Sequence, residues 1–224
     1  MKLVKLRELK EWLEISMPRV LVEIHVIRSN TVENGIVKAA IGLKTELIVI
    51  ATRSGRKLFS FWKKILPARL AKKTGCAILS LKPGAEHTKI KSIVVPFRSH
   101  IPNRKLNALT HLAWKKNTTI YLVAMQNELK EFEFGDSSVT HTLIETYRLL
   151  KEDMNCQIVH KLITGNNTAK AILRFAESVN ADVLVTNPDE MKISSFAGLD
   201  ISDMLERDSK MQLLTIEPDA YHPN

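Results

Sequence analysis

Two rhythms of apolar and polar residues alternate along the chain, and one combination of them occurs twice. From Asn166 to Thr186 a polar start leads into an apolar face at helical spacing, after which Asp182 leads into consecutive aliphatics. The stretch from Asn30 to Ala51 does the same. At an offset of 136 residues Ile36 meets Ile172, Val37 meets Leu173, Ala40 meets Ala176, Glu46 meets Asp182 and Leu47 meets Val183. Each copy reads as an amphipathic helix entered from Asn or Thr, followed by a strand buried on both faces. A helix feeding such a strand, twice, is half of a βαβ grammar.

The rest of the chain extends this alternation. Leu3, Leu6, Leu9 and Leu13 predict a helix over 2–15 that lies on a core, stopped near Pro18. Residues 19–28 are rich in β-branched side chains and read as a strand. Helix 31–43 and strand 47–51 follow. Leu58, Trp62, Ile65, Leu66 and Leu70 predict a helix over 58–73, in which Pro67 either divides the helix or opens its second part. Gly75 ends it, and 76–81 is a short buried strand. After a polar, turn-forming junction at 83–89 come strands 92–96, 118–125, 156–163, 183–186 and 211–216. Helices 102–115, 138–153 and 196–208 and the repeated helix alternate with them, 126–137 is a loop, and 218–224 is a frayed tail. The chain thus divides into a first unit over 1–84 with three strands and a second over 88–218 with five.

Charge separates the two units. Residues 1–87 carry 17 Lys and Arg against 7 acids, net +10, whereas 88–224 carry 16 against 17, net −1. The basic character belongs to the first unit, so a nucleic-acid coat describes the whole molecule poorly, while a basic surface facing a membrane, an acidic protein or a nucleic acid stays open. No run approaches the length of a membrane helix, and the charged amphipathic start is unlike a signal peptide, so a cytoplasmic location is expected. Cys76 and Cys156 lie in strand-like apolar contexts and read as buried thiols rather than a disulfide.

The order of elements over 89–217 resembles the universal stress protein family, a doubly wound α/β, Rossmann-like fold with a five-stranded parallel sheet. Residues 1–82 resemble the later part of a second such domain, without its first strand, first helix and second strand. The arrangement is similar to tandem universal stress proteins and to the cytoplasmic tails of some bacterial cation/proton antiporters. The resemblance also implies that the last strands of the two units, 76–81 and 211–216, pair antiparallel.

Members of the family that bind ATP carry an Asp at the end of the first strand and a glycine-rich segment after the fourth, of the form G-x-x-G, nine residues, G-(Ser/Thr). Such a loop and helix N-terminus offer N–H groups to phosphates. Here the aligned Asp position is Arg98, which cannot accept the hydrogen bonds a carboxylate takes. In the second unit Gly198 matches the last glycine, but Leu199 replaces the hydroxyl residue, and Asp189 and Glu190 would repel phosphate. In the first unit Gly55 is kept, while Lys64 and Ile65 stand at the terminal pair. The motif is broken in both copies. Arg53, Ser54, Gly55, Arg56 and Lys57, with Gly198, are therefore a vestigial cofactor site at most, placed where an open α/β sheet binds ligands.

Other chemistry is thin. The histidines, His25, His87, His100, His111, His141, His160 and His222, form no i, i+4 zinc pair, Ser54 and Ser99 lack a nucleophile elbow, and no carboxylate pair is set for acid–base work. The densest charge is Arg53, Arg56, Lys57, Lys63, Lys64, Arg69, Lys72 and Lys73, with Phe59, Phe61 and Trp62 interleaved. It is either a helix whose apolar stripe faces the sheet with its lysines outside, or one resting on anionic lipid or a partner.

Three readings follow. The first is a non-enzymatic regulatory or interaction module, with no cofactor, that self-associates through sheet edges or meets a protein partner such as a transporter's membrane domain. The second is a stress-response protein that binds ATP or another adenine nucleotide through the basic loop, with slow hydrolysis. The third binds nucleic acid or an anionic membrane surface through the basic first unit. The incomplete first unit also leaves an open sheet edge, expected to be covered by another chain or by the helix 2–15.

Overall fold

The computed structural model of the protein describes residues 2–51, 67–81, 90–97, 103–112, 117–126, 137–164, 168–187 and 210–217. Two compact units are formed, Met1–Ala39 and Ala40–Asn224. In the first, α1 (Lys2–Ser16) leaves Leu6, Leu9, Trp12 and Ile15 exposed, so its leucines do not make the buried stripe their spacing predicts. Residues 21–29, expected as a strand, pair with no strand. Strand-forming side chains give a strand only when a neighbour supplies the ladder, and none among the described residues does. Helix α2 (Val32–Gly42) starts as its sequence predicts: Thr31 caps it, its Oγ1 accepting from the Asn34 N–H at 3.1 Å.

The second unit is built on one sheet. Strands β1 (Leu47–Ala51), β2 (Ala77–Leu81), β3 (Ser92–Phe97), β4 (Thr119–Gln126), β5 (Gln157–Thr164), β6 (Val183–Thr186) and β7 (Gln212–Thr215) lie in the order β1-β2-β7-β6-β3-β4-β5. Every neighbouring pair is parallel except β2 and β7, which run antiparallel with Ile78 opposite Thr215, Leu79 opposite Leu214 and Ser80 opposite Leu213. The antiparallel joint implied by the resemblance is thus present within one chain. It covers one edge of β2 and one of β7 together, so neither is left as an open template for other strands.

Alternation along the strands sorts the core into two layers. Ile93, Val95 and Phe97 face α4 (Asn103–Leu112) and α5 (Ser137–Asp153), packing with Leu106, Leu109, Leu143 and Leu150. Val94, Val123 and Leu184 face the other way, against Ile172, Leu173 and Ala176 of α6 (Thr168–Ser178). Helix α3 (Pro67–Thr74) opens at Pro67, the helical position where a missing N–H costs nothing, and buries Leu70 and Ala71 while Arg69, Lys72 and Lys73 are exposed. For this described part of the basic cluster the apolar stripe faces inward and the charges face out.

The repeat is also present in backbone detail. At the 136-residue offset α1 stands against α5, α2 against α6 and β1 against β6. After α2, Lys44 adopts φ 50°, and after α6 its counterpart Asn180 adopts φ 49°. Thr45 N donates to Ala40 O at 2.9 Å and Lys44 N to Ile41 O at 3.3 Å; the counterparts are Ala181 N to Ala176 O at 2.9 Å and Asn180 N to Glu177 O at 3.0 Å. This is the six-to-one and five-to-two pattern of a Schellman cap, with the left-handed residue at its turn. A left-handed conformation costs an L-residue about 1–2 kcal/mol, less for Asn. Lys44→Gly is therefore expected to raise unfolding free energy by about 1 kcal/mol and Asn180→Gly by less, measured by urea denaturation.

Both cysteines are free and buried. Cys76 Sγ donates to Thr45 O at 2.8 Å. Burial pushes the Cys156 thiol above its ordinary value, opposed by the nearby Lys151 ammonium.

Candidate functional site

An open α/β sheet offers ligands a crevice where successive crossovers part to opposite faces, outside the carboxyl ends of the strands. Here that point lies between β3 and β6. The chain leaves β3 through α4 on one face to reach β4, and reaches β6 from α6 on the other face. The amino ends of the two strands are clamped. Asp182 Oδ2 accepts from the N–H groups of Lys91 at 2.7 Å and Ser92 at 3.0 Å, and Ser92 Oγ donates to Asn180 O at 2.9 Å. Ladder pairs run from Ile93 with Val183 to Val94 with Leu184. Toward the carboxyl ends, Pro96 has no N–H to offer.

Its carbonyl is used differently. Lys105, in the first turn of α4, is 1% exposed, and its Nζ donates to Pro96 O at 2.7 Å. A buried ammonium is tolerated only when hydrogen-bonded, because its desolvation is costly. Directly after β6 stands Asn187, 2% exposed, with an Oδ1 that accepts no hydrogen bond from the described residues. Thr186 and Thr215 are buried near the ends of β6 and β7. This end of the sheet therefore holds one committed cation and one buried amide acceptor. Among the described residues no cluster of His, Cys, Asp and Glu is placed to hold a metal ion.

The site residues expected from sequence, Arg53, Ser54, Gly55, Arg56, Lys57 and Gly198, lie outside the described residues, as do Arg98 and Pro188–Glu190. Their places in the chain are fixed by what precedes them: 53–57 follow β1 closely, and Arg98 follows β3 directly. Of the histidines, His25 meets Glu23 at 3.0 Å and His141 meets Glu145 at 3.4 Å, both at exposed positions. His160 stacks edge-on with Tyr147, ring centroids 5.6 Å apart. None of these three contacts builds a ligand set.

Sequence reasoning missed Lys105. A signal was present, because Lys105 stands four residues before Leu109 and seven before Leu112, on the stripe that should face the core. A lysine on that stripe either snorkels or finds a buried acceptor. Asn187 carried no such signal, since an Asn after a strand is ordinary turn chemistry.

No family model matches the chain, and no curated protein does. Solved structures do. A universal stress protein from Archaeoglobus fulgidus DSM 4304 superposes with a TM-score of 0.60 at 14% identity, over 96% of this chain and 79% of that one. A functionally unknown protein from Pseudomonas aeruginosa PAO1 gives 0.60 at 15% identity, over 96% and 78%. A third, from Pseudomonas aeruginosa UCBPP-PA14 and provisionally described as a universal stress protein, gives 0.58 at 14%, over 96% and 78%. Among the described residues no helix is long and apolar enough to cross a membrane. Identity at this level speaks for the fold alone: the chain has a universal stress protein-like α/β fold, with a mixed, mostly parallel sheet and flanking helices.

Proposed function

We propose that this chain is a non-enzymatic regulatory or interaction module of the universal stress protein type, acting in the cytoplasm without the standard adenine-nucleotide site. The observation that carries the reading is Lys105. At the switch point of the sheet, where a ligand needs space and accessible donors, a buried ammonium is committed to the Pro96 carbonyl. Arg98, at the aligned position of the family's Asp, adds a second cation where adenosine recognition calls for an acceptor. In the same reading residues 88–218 are a complete domain and 1–84 a truncated copy of it. The shared 136-residue offset and the paired left-handed caps at Lys44 and Asn180 support that division.

Native mass spectrometry of the protein as purified, followed by ATP titration, tests this. The expected result is an empty protein that takes up no ATP to about 1 mM. Micromolar binding would overturn the reading. If Arg53→Ala and Arg56→Ala abolished that binding, the basic loop following β1 would be the site, and the protein a nucleotide-binding stress protein.

A further inference from the structure

We propose that the outer edge of β1 is a docking site for an aliphatic β-strand of another polypeptide, entering parallel to β1 and leading into a helix. This names a surface for the interaction module above and rests on that reading. β1 ends the sheet, and among the described residues its only neighbour is β2. Its sequence, Leu-Ile-Val-Ile-Ala, is five aliphatics in a row, a composition suited to burial on both faces. Yet Leu47 and Val49 are 45% and 52% exposed, and Ile41 and Leu43 just before the strand are 62% and 53% exposed. Edges meant to stay bare carry a charge, a proline or a bulge. β1 carries no charge and no proline, and its ladder to β2 runs through all five residues without a bulge.

The chain itself specifies the occupant. β6, the counterpart of β1, is buried at all four positions because β3 lies along it in parallel, Ile93 against Val183 and Val94 against Leu184. Moved back by 136 residues, the same register places an Ile-Val pair against Leu47 and Ile48. The wanted strand therefore resembles Ser-Ile-Val-Val-Pro-Phe of β3, with α4 behind it. A second copy joined by a two-fold axis would bring β1 against β1 antiparallel, which is not the pairing that the counterpart shows.

Hydrogen exchange on two proteins decides the matter. In the unaltered chain, amides of β1 that do not bond β2 should exchange rapidly, at the same rate from about 1 to 100 μM protein. Protection that grows with concentration would assign the edge to a second copy and overturn the proposal. The second protein carries an added copy of residues 88–136 in front of Met1, which continues the repeat in phase because Met1 corresponds to Ser137. There the β1 amides should slow by about tenfold or more, and Val94→Lys in the added copy alone should remove that protection. A well-folded fusion that leaves β1 as exchangeable as before overturns the proposal. Should the fusion not fold, protection of the edge in the unaltered chain still refutes it, and unprotected, concentration-independent exchange there supports it. ATP binding would defeat the functional reading above without moving the exchange result.

Discussion

Replacing Lys105 by alanine should lower the unfolding free energy by about 3 kcal/mol, while methionine at the same place should cost about 1 kcal/mol or less. The alanine variant loses two contributions. The buried stem carries methylenes worth about 0.8 kcal/mol each, and the Pro96 carbonyl loses a donor at 2.7 Å, whose absence in a buried site costs about 1–3 kcal/mol. Partial collapse of the cavity brings the sum down to the stated value. Methionine restores most of the volume and removes the need to desolvate an ammonium, so it offsets much of the lost hydrogen bond. Urea denaturation of the three proteins checks the order. Alanine and wild type within about 0.5 kcal/mol of each other would mean that the side chain lies at the surface.

The second large effect is expected at the antiparallel joint. Leu214, 1% exposed, packs in the layer with Ile93, Val183 and Val185 and stands opposite Leu79 of β2. Leu214→Ala should cost about 3 kcal/mol by lost transfer energy and a residual cavity. A double-mutant cycle reads the register as well as the burial. Leu79→Ala and Leu214→Ala should couple by about 0.5–1 kcal/mol, the scale of a directly opposed pair, and Leu79→Ala should couple less with Leu213→Ala. Leu213 lies in the opposite layer, against α6, so a larger coupling with it would mean that β7 has slipped by one residue. Such a slip would turn the leucines of β7 over between the two layers.

Most of the strands of the second unit were legible in the sequence because each of them satisfies its own pattern. Ser-Ile-Val-Val-Pro-Phe is aliphatic throughout because helices cover both faces of β3, and the helix residues recur every three or four places because only one stripe of each is covered. The repeat was visible at five matched positions and extends to the φ angles of Lys44 and Asn180. Residues 21–29 have the composition of a strand and do not form one, since composition cannot supply the neighbour on which a ladder depends. The leucines of α1 fail in the same way: their spacing makes a stripe, and Leu6 and Leu9 of that stripe remain exposed.

The sequence by itself determined the order of helices and strands, the caps, the basic first part and the broken nucleotide motif, all of which depend on residues close together in the chain. Tertiary structure alone decided that β7 separates β2 from β6, that β1 is left at the end of the sheet, and that Lys105 meets Pro96 rather than water. These are relations between residues distant along the chain or on different elements. They follow from which edges and faces meet in space, a choice made by the whole packed core rather than by any single segment.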